Sequence, residues 1–201
     1  MIRFFHATNL ADHADLAAAM FRDRAAQFRD RHRWDVTVDA LGWETDPYDA
    51  LDPLYVVAVD GAGGHAGSLR LLPTAGPTML ADHFAHLAPC PAVPGTWEAT
   101  RFCQAPGAAR DTARRVLAGV SQAALSLGLR HLVGVYDAPM ARVYRRLGWE
   151  PAEMGRDGAI VAGRWTVSDA AHDRVCAGAG LSAHHTLRWF ERDLGHLAEA
   201  G

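Results

Sequence analysis

The chain has 201 residues, of which 49% are hydrophobic and 21% are charged, and its formal net charge is −3. This composition is typical of a globular domain with an ordinary apolar core, and it excludes wholesale disorder. The slightly acidic balance gives no support to nucleic-acid binding, because duplex-binding proteins usually carry a net positive charge or a basic face. No stretch approaches the ~18 consecutive apolar residues of a membrane span, and the N-terminus lacks an apolar signal segment.

Cysteine and histidine spacing gives no sign of a metal site. The three cysteines, Cys90, Cys103 and Cys176, are far apart and form no CxxC pair. An odd and scattered set argues against a disulfide scaffold and fits a reducing compartment. The eleven histidines also lack the spacing of metal ligands. We therefore expect a cytoplasmic protein without a bound metal.

The first half of the chain predicts a strand, a helix, a long loop and a hairpin. The elements are a strand over residues 2–7, a helix from Asn9 or Asp12 to about Arg31, a loop over 34–50, strands over 54–59 and 65–73, and a short helix over 79–87. On the first helix, Ala17, Phe21, Arg24 and Phe28 fall on one stripe. Arg24 is therefore a charge within an apolar face, and it needs a partner of opposite charge.

The second half predicts alternating strands and helices. The elements are a strand over residues 96–103, a helix over 110–127, a strand over 131–136, a helix over 139–147, a hairpin over 149–154 and 160–167, and a terminal helix over 183–199. Hairpins mixed with β-α-β units predict a mixed α/β sheet flanked by helices. The acyltransferase fold of the GCN5-type N-acetyltransferases has this order, so we expect that fold with a splayed sheet. We expect a single domain over residues 1–201, with a helical tail over 170–201.

Four stretches carry arginines, aromatic residues and acids at characteristic spacing. They are residues 20–28 followed by 34–36, residues 44–49, residues 67–74 followed by 76–80, and residues 97–102. Together they resemble the LuxI-type acyl-homoserine-lactone synthases over roughly residues 1–150. The eight signature side chains of that family are all present: Arg24, Phe28, Trp34, Asp46, Asp49, Arg70, Glu98 and Arg101. Thr100 stands where the family commonly has Ser, a departure that keeps the hydroxyl.

The resemblance implies a two-step reaction that makes a quorum-sensing signal. The α-amine of S-adenosylmethionine attacks an acyl thioester, supplied by acyl carrier protein or acyl-CoA. The carboxylate then displaces methylthioadenosine and closes the lactone. Both compounds are substrates, so the resemblance implies no cofactor.

A base is needed in the first step, because a free amine is mostly protonated near neutral pH. Glu98 is the candidate, acting directly or through water; the alternative is a buried Glu that only pairs with an Arg. The resemblance gives catalytic roles to Glu98, Arg101, Arg70, Asp46 and Asp49. These charges, together with Arg24 and Glu44, could equally form an ion network that only holds the fold.

Arg24, Phe28 and Trp34 are expected to bind S-adenosylmethionine, since an aromatic face attracts a sulfonium cation. Either ring could instead be a core aromatic. The strand over residues 96–103 presents a difficulty, because Glu98 and Arg101 lie on opposite faces of a regular strand. We therefore predict a bulge or a splay near residues 99–102.

Apolar side chains around the predicted opening are candidates for an acyl pocket, although each could be plain core. They are Met79, Thr100, Phe102, Val133, Val135 and Leu147. Synthases that prefer 3-oxo chains often carry Thr on this strand, but residues 135–137 of this chain are Val-Tyr-Asp. The absence of Thr favours an unsubstituted acyl chain. Arg142, Arg145 and Arg146 form a basic cluster that could dock an acidic carrier protein or could be a solvated helix face.

Two alternatives remain open. Residues 104–109 fit the Q-x-x-G-x-A phosphate loop of the N-acetyltransferases, and Tyr144 sits where some of those enzymes keep a general acid. An acetyl-CoA-dependent N-acetyltransferase would explain both features but not the set of Arg24, Phe28 and Trp34. A non-enzymatic ligand-binding domain with the same fold is the second alternative, which turnover would exclude.

Overall fold

A seven-stranded mixed sheet lies at the centre of the protein in a computed structural model that describes residues 1–198. The strands are β1 (Ile2–His6), β2 (Leu54–Val59), β3 (His65–Pro73), β4 (Thr96–Gln104), β5 (His131–Asp137), β6 (Ala152–Asp157) and β7 (Ile160–Thr166). Their order across the sheet is β1-β2-β3-β4-β5-β7-β6. The β4–β5 pair is parallel and the other neighbouring pairs are antiparallel. The predicted mixed α/β architecture is confirmed.

Helices cover both faces of this sheet. They are α1 (Ala14–Ala25), α2 (Met79–His83), α3 (Thr112–Ser126), α4 (Met140–Leu147), α5 (Asp169–Gly178) and α6 (Ala183–Ala198). Helix α1 follows a 3-10 turn over Ala7–His13 and continues as a π-helix over Ala26–Arg31. None of the described helices combines the length and apolar character needed to cross a membrane.

The predicted elements are recovered, and the main differences concern α5, β6 and α2. Helix α5 falls within the predicted helical tail over residues 170–201 but was not predicted as a separate helix; Ser168 caps it by accepting the Ala171 N–H. Strand β6 starts three residues later than predicted because Trp149 is buried and its indole N–H donates to the Thr166 carbonyl. Helix α2 ends at His83, four residues early. The predicted end of the terminal helix, Glu199, lies outside the described residues.

The sheet opens between β4 and β5. These strands pair only from Thr96 to Glu98 on β4 and then separate. On the other side of β4, the register with β3 shifts between Ser68 and Arg70, so two β4 residues lie opposite one β3 residue. Arg101 occupies this bulge with φ +55°. The irregularity predicted here is confirmed, and it lets Glu98 and Arg101 reach the same opening.

Two of the three apolar clusters among the described residues pack on opposite faces of the sheet. Helix α3 covers one face, where Ile2, Val56 and Val116 are fully buried. Helix α1 covers the other face, where Phe21 packs against Tyr55. Alternation along β2 explains this division, because successive side chains of a strand point to opposite faces.

Candidate active site

Buried arginines and acids meet where the loop before β2 crosses the open part of the sheet. Arg24 Nε lies 2.6 Å from a Glu44 oxygen, and its two terminal nitrogens donate to Asp49 at 2.9 Å. Arg70 on β3 donates to both Asp46 oxygens at 2.5 and 2.9 Å. Both arginines are only 1% exposed. The expectation that Arg24 needs an acidic partner is confirmed.

The three-residue spacing of Asp46 and Asp49 has a local cause. Asp46 caps the 3-10 helix Pro47–Ala50 by accepting the Tyr48 N–H at 2.9 Å. Asp49 accepts the Asp46 N–H in return, also at 2.9 Å, which completes a capping box. The two carboxylates are therefore fixed at the same end of the short helix, where the arginines approach them.

Asp49 is held in its charged form. Burial alone would raise its pKa, but the charge and hydrogen bonds of Arg24, followed by the charge of Arg70, outweigh burial. The pKa of Asp49 is consequently well below its ordinary value. The Tyr55 hydroxyl also donates to Asp49 at 2.8 Å.

Arg101 completes the network from the bulge. Its Nη2 lies 2.7 Å from an Asp46 oxygen and 3.0 Å from a Glu44 oxygen. Among residues 1–198, its Nη1 has only the Met79 sulfur as an acceptor, at 3.2 Å, and its guanidinium stands 5.5 Å from the centre of the Phe28 ring. Thioether sulfur is a weak acceptor, so this nitrogen keeps most of its capacity to bind another group.

Glu98 lies apart from the ion pairs. It is fully buried, and its oxygens accept the N–H groups of Met79 at 3.0 Å and Leu80 at 2.6 Å, at the start of α2. Burial raises the pKa of this carboxyl, although the two amides and the charge of Arg70 oppose the shift. Glu98 has no arginine in an ion pair within the described chain, unlike Glu44, Asp46 and Asp49. The alternative role of Glu98, a buried Glu that only pairs with an Arg, therefore finds no ion pair in residues 1–198.

Two stacked aromatic rings stand at the entrance. Phe28 and Trp34 are parallel to within 6°, with centroids 5.1 Å apart. Phe28 is buried at 2% exposure, whereas Trp34 is 42% exposed. Phe28 therefore lies close to both Arg101 and Trp34, and the indole also lies 5.5 Å from the His32 ring.

A cavity of about 630 Å³ passes through the opening between β4 and β5. Nine of the predicted site residues line it: Phe28, Trp34, Asp46, Met79, Glu98, Thr100, Arg101, Phe102 and Val135. Arg24, Arg70 and Asp49 stand behind this wall, where they hold Asp46 and Arg101 in place. Thr100, for example, accepts from Arg70 Nε at 3.0 Å.

The prediction for two pocket residues is wrong. Val133 and Leu147 do not line the cavity. Val133 belongs to the part of β5 that still pairs with β4, and it packs under α2 beside Leu80. Leu147 packs into the core at the end of α4. The cavity is instead closed on that side by Leu117, Val120, Leu132, Tyr136, Tyr144, Trp149 and Trp165.

Two side chains of the site were not singled out from the sequence. Glu44 was named only as an available acid, yet it is fully buried and joins Arg24 to Arg101. Gln27 ties the first helix to β4, donating to the Phe102 carbonyl at 3.0 Å and accepting the Gln104 N–H at 2.9 Å. Gln27 follows Arg24 by three residues on the same helix, and that spacing is the one signal that could have indicated it.

The basic cluster lies on the outer side of α4. Arg142, Arg145 and Arg146 are exposed, and Arg145 Nε donates to Glu150 at 2.8 Å. Tyr144 and Leu147 of the same helix face inward. Across residues 1–198, no group of three or more His, Cys, Asp or Glu side chains is arranged to hold a metal ion.

Comparison with known proteins agrees with this geometry. The sequence model described as "Autoinducer synthase" matches residues 7–173. An acyl-homoserine-lactone synthase of Rhizobium etli is 46% identical over 162 residues, covering 74% of this chain and 76% of the relative.

Solved structures give the same result. MesI, titled a CoA-dependent acyl-homoserine lactone synthase, aligns with a TM-score of 0.80 at 29% identity, covering 90% and 96% of the two chains. TofI, in a ternary complex with an inhibitor and MTA, aligns at 0.69 and 31% identity, covering 85% and 92%. A putative N-acetyltransferase from Lactobacillus plantarum shares only the fold, at 0.53 and 19% identity over 83% and 99%. The expected acyltransferase fold is thus confirmed.

Proposed function

This chain belongs to the autoinducer synthase family, and from that premise we propose how its cleft makes an acyl-homoserine lactone. The chain is an acyl-homoserine-lactone synthase, an acyltransferase of quorum sensing. One observation carries the mechanism: three arginines are matched by three acids, while a fourth carboxylate, Glu98, has no such partner in residues 1–198. Within this set of three arginines and four acids, one negative charge is in excess when Glu98 is ionised.

This excess suits S-adenosylmethionine, which brings a sulfonium and an amine. The exposed face of Trp34 can hold the sulfonium, since a cation gains roughly 0.5–2 kcal/mol over an aromatic ring. Phe28 acts as a support for the indole, because it is buried behind Trp34. TofI was solved with MTA, which supports the same substrate here.

Glu98 accepts a proton from the substrate amine in the first step, directly or through one water. The neutral amine then attacks the thioester carbonyl, an amide bond forms, and the thiol leaves. Because α2 supplies two amides that fix both Glu98 oxygens, the base keeps one orientation.

Arg101 orients the substrate for the second step. Its Nη1 has a thioether as its acceptor and can donate to the substrate carboxylate instead. That carboxylate displaces methylthioadenosine from the γ-carbon and closes the ring. Asp46 and Glu44 hold the guanidinium in place during this step.

Neither step changes an oxidation state, so we propose that the reaction uses no cofactor beyond the two substrates. We also propose a cytoplasmic location, where the free thiols of the three cysteines would stay reduced. Cell fractionation with an antibody against the chain tests the location.

Release of methylthioadenosine is the test of the proposed reaction. Purified protein, S-adenosylmethionine and an acyl thioester should give methylthioadenosine and lactone in equal amounts, measured by chromatography and mass spectrometry. An acetyl-CoA-dependent N-acetyltransferase would give free thiol without methylthioadenosine. Thioester consumption without cleavage of the sulfonium compound would therefore contradict the proposal.

The acyl donor is either an acyl carrier protein or coenzyme A, and we propose that the outer face of α4 docks an acidic carrier protein. Arg142, Arg145 and Arg146 are exposed there, whereas Tyr144 of the same helix faces inward and lines the cavity. A charge patch of this kind acts mainly on association, so it should be sensitive to salt.

Arg142→Glu should raise KM for the acyl carrier protein several-fold and leave KM for acyl-CoA unchanged. Arg188→Glu is the matched control, because Arg188 is exposed on α6 and away from the cavity lining. An equal effect of the two substitutions would contradict docking on α4.

A further inference from the structure

Tyr144 contributes a side chain with a hydroxyl to the wall of the cavity. The residue lies on α4, lines the cavity and is 7% exposed. Its hydroxyl has no hydrogen-bond partner among the side chains and backbone groups of the described residues. The surrounding walls are apolar or aromatic, and they include Leu117, Val120 and Leu132.

Three aromatic side chains hold the Tyr144 ring in position. Trp165 meets it edge-on at 5.0 Å, Tyr136 meets it edge-on at 5.5 Å, and Phe102 stacks at 6.3 Å. Burial raises the pKa of Tyr144, so the hydroxyl keeps its proton at neutral pH. The ring cannot turn away easily, and the site presents a fixed donor.

A fixed donor in an apolar chamber disfavours a plain alkyl chain. An alkyl chain that displaced solvent from this hydroxyl would offer it no acceptor, and leaving a polar group without a partner costs roughly 1–3 kcal/mol. An oxygen on the chain removes that cost and fixes the chain by one hydrogen bond. Acyl thioesters with an oxygen at C3, as a carbonyl or a hydroxyl, are the simplest donors with this chemistry.

We propose that Tyr144 is a specificity-determining residue that selects acyl groups carrying an oxygen at C3 over unsubstituted chains. The proposal rests on the proposed function. Residues 135–137 favoured an unsubstituted acyl chain, because β5 carries no Thr there. The hydrogen-bond donor proposed here instead belongs to α4.

The neighbouring Tyr136 provides a matched control. It also lines the cavity and is 8% exposed. Its ring and hydroxyl, however, lie over Gly163 of β7, where an added Cβ would stand 2.6 Å from a ring carbon and 3.2 Å from the hydroxyl oxygen. The Tyr136 hydroxyl is therefore placed against the backbone of β7.

The experiment compares 3-oxo, 3-hydroxy and unsubstituted thioesters of equal length, on the carrier that supports turnover. Wild-type protein should show kcat/KM roughly fivefold to tenfold higher for the oxygenated chains, the ratio expected from one net hydrogen bond. The two oxygenated donors separate a carbonyl acceptor from a hydroxyl acceptor. Tyr144→Phe should bring the ratio near one by slowing the oxygenated donors, while Tyr136→Phe should keep the wild-type ratio.

Three results would overturn the selection. The first is a wild-type kcat/KM ratio near one, and the second is an unchanged ratio in Tyr144→Phe. The third is an equal loss of kcat/KM for all donors in that variant, which would mean that the hydroxyl binds the part of the thioester that all donors share. Competition between equimolar donors, read from the lactones of the wild-type protein, gives the ratio without any variant. If no donor yields methylthioadenosine, the proposed function fails and the selection fails with it. Methylthioadenosine release at equal rates with oxygenated and unsubstituted donors would contradict the selection but not the proposed function.

Discussion

Glu98 is held by two opposing influences. Burial raises the pKa of its carboxyl, whereas the amides of Leu80 and Met79 and the charge of Arg70 favour the ionised form. The result is a carboxyl that gives up its proton at a higher pH than an ordinary glutamate. A base of this kind accepts a proton more readily near neutral pH, which is what an amine nucleophile requires.

Glu98→Gln should lower the rate of methylthioadenosine release by about 100-fold or more, because an amide cannot accept the proton. In the wild type, the rate should fall on acidification at a pH above the ordinary glutamate value of about 4.3, since only the ionised base works. A pH–rate profile and a single-turnover assay measure both effects.

The same substitution also disturbs α2, because the new NH₂ group would face one of the two backbone N–H donors. Thr78→Val is the control for that effect. It removes the Oγ acceptor of the Ala81 N–H at the start of α2 and leaves the carboxylate in place. If Thr78→Val lost as much activity as Glu98→Gln, helix position rather than proton transfer would explain the loss.

The sequence predicted an ion pair where a charged residue falls on an apolar face and needs a partner of opposite charge. Arg24 on an apolar stripe required an acid, and Glu44 and Asp49 supply it. Which acid meets which arginine was not predictable, because it depends on the path of a loop without periodicity. Val133 was misassigned because one strand register decides whether a residue lies before or after the split of β4 from β5.

The bulge in β4 and the split from β5 act together as one element. The bulge turns Arg101 toward the opening, and the split creates the room behind it. Sequence alternation predicted this irregularity, because a regular strand could not bring Glu98 and Arg101 to one cleft. The sequence predicted a helical tail over residues 170–201 but not its division into α5 and α6.

Gly134→Ala should strain the point where β4 and β5 diverge. A Cβ at Gly134 would stand 2.6 Å from the Ala99 carbonyl oxygen, which belongs to the backbone of β4 and cannot rotate away. We expect a loss of roughly 1–3 kcal/mol in the free energy of unfolding, measured with urea.

Gly61→Ala is the matched control, because nothing lies within 4 Å of a Cβ at that turn. Its free energy of unfolding should stay near the wild-type value. Equal stability of Gly134→Ala and Gly61→Ala would show that the strands can move apart at no cost.

At the scale of the whole molecule, the proposed active site and the covered edge of the sheet are far apart. The cleft lies between β4 and β5, while the outer edge of β1 is covered by α6. Asp193 accepts the Phe4 N–H at 2.9 Å, and Phe190 packs edge-on against Phe4 at 5.4 Å. Covering an edge strand in this way prevents pairing with another chain. The terminal helix was predictable from its periodicity, but its role at β1 depends on a contact that spans almost the whole sequence.

Phe190→Ala should therefore weaken the fold without changing the reaction. Phe190 is 4% exposed, so its truncation should cost about 3 kcal/mol in the free energy of unfolding. Leu187→Ala on the same helix is the control, because Leu187 is 38% exposed and its loss should change stability by less than about 0.5 kcal/mol. At a temperature where both variants remain folded, the rate of methylthioadenosine release should match the wild type. A folded Phe190→Ala protein with a reduced rate would mean that α6 and the cleft are coupled through the sheet, since β1 and β4 are separated by two strands.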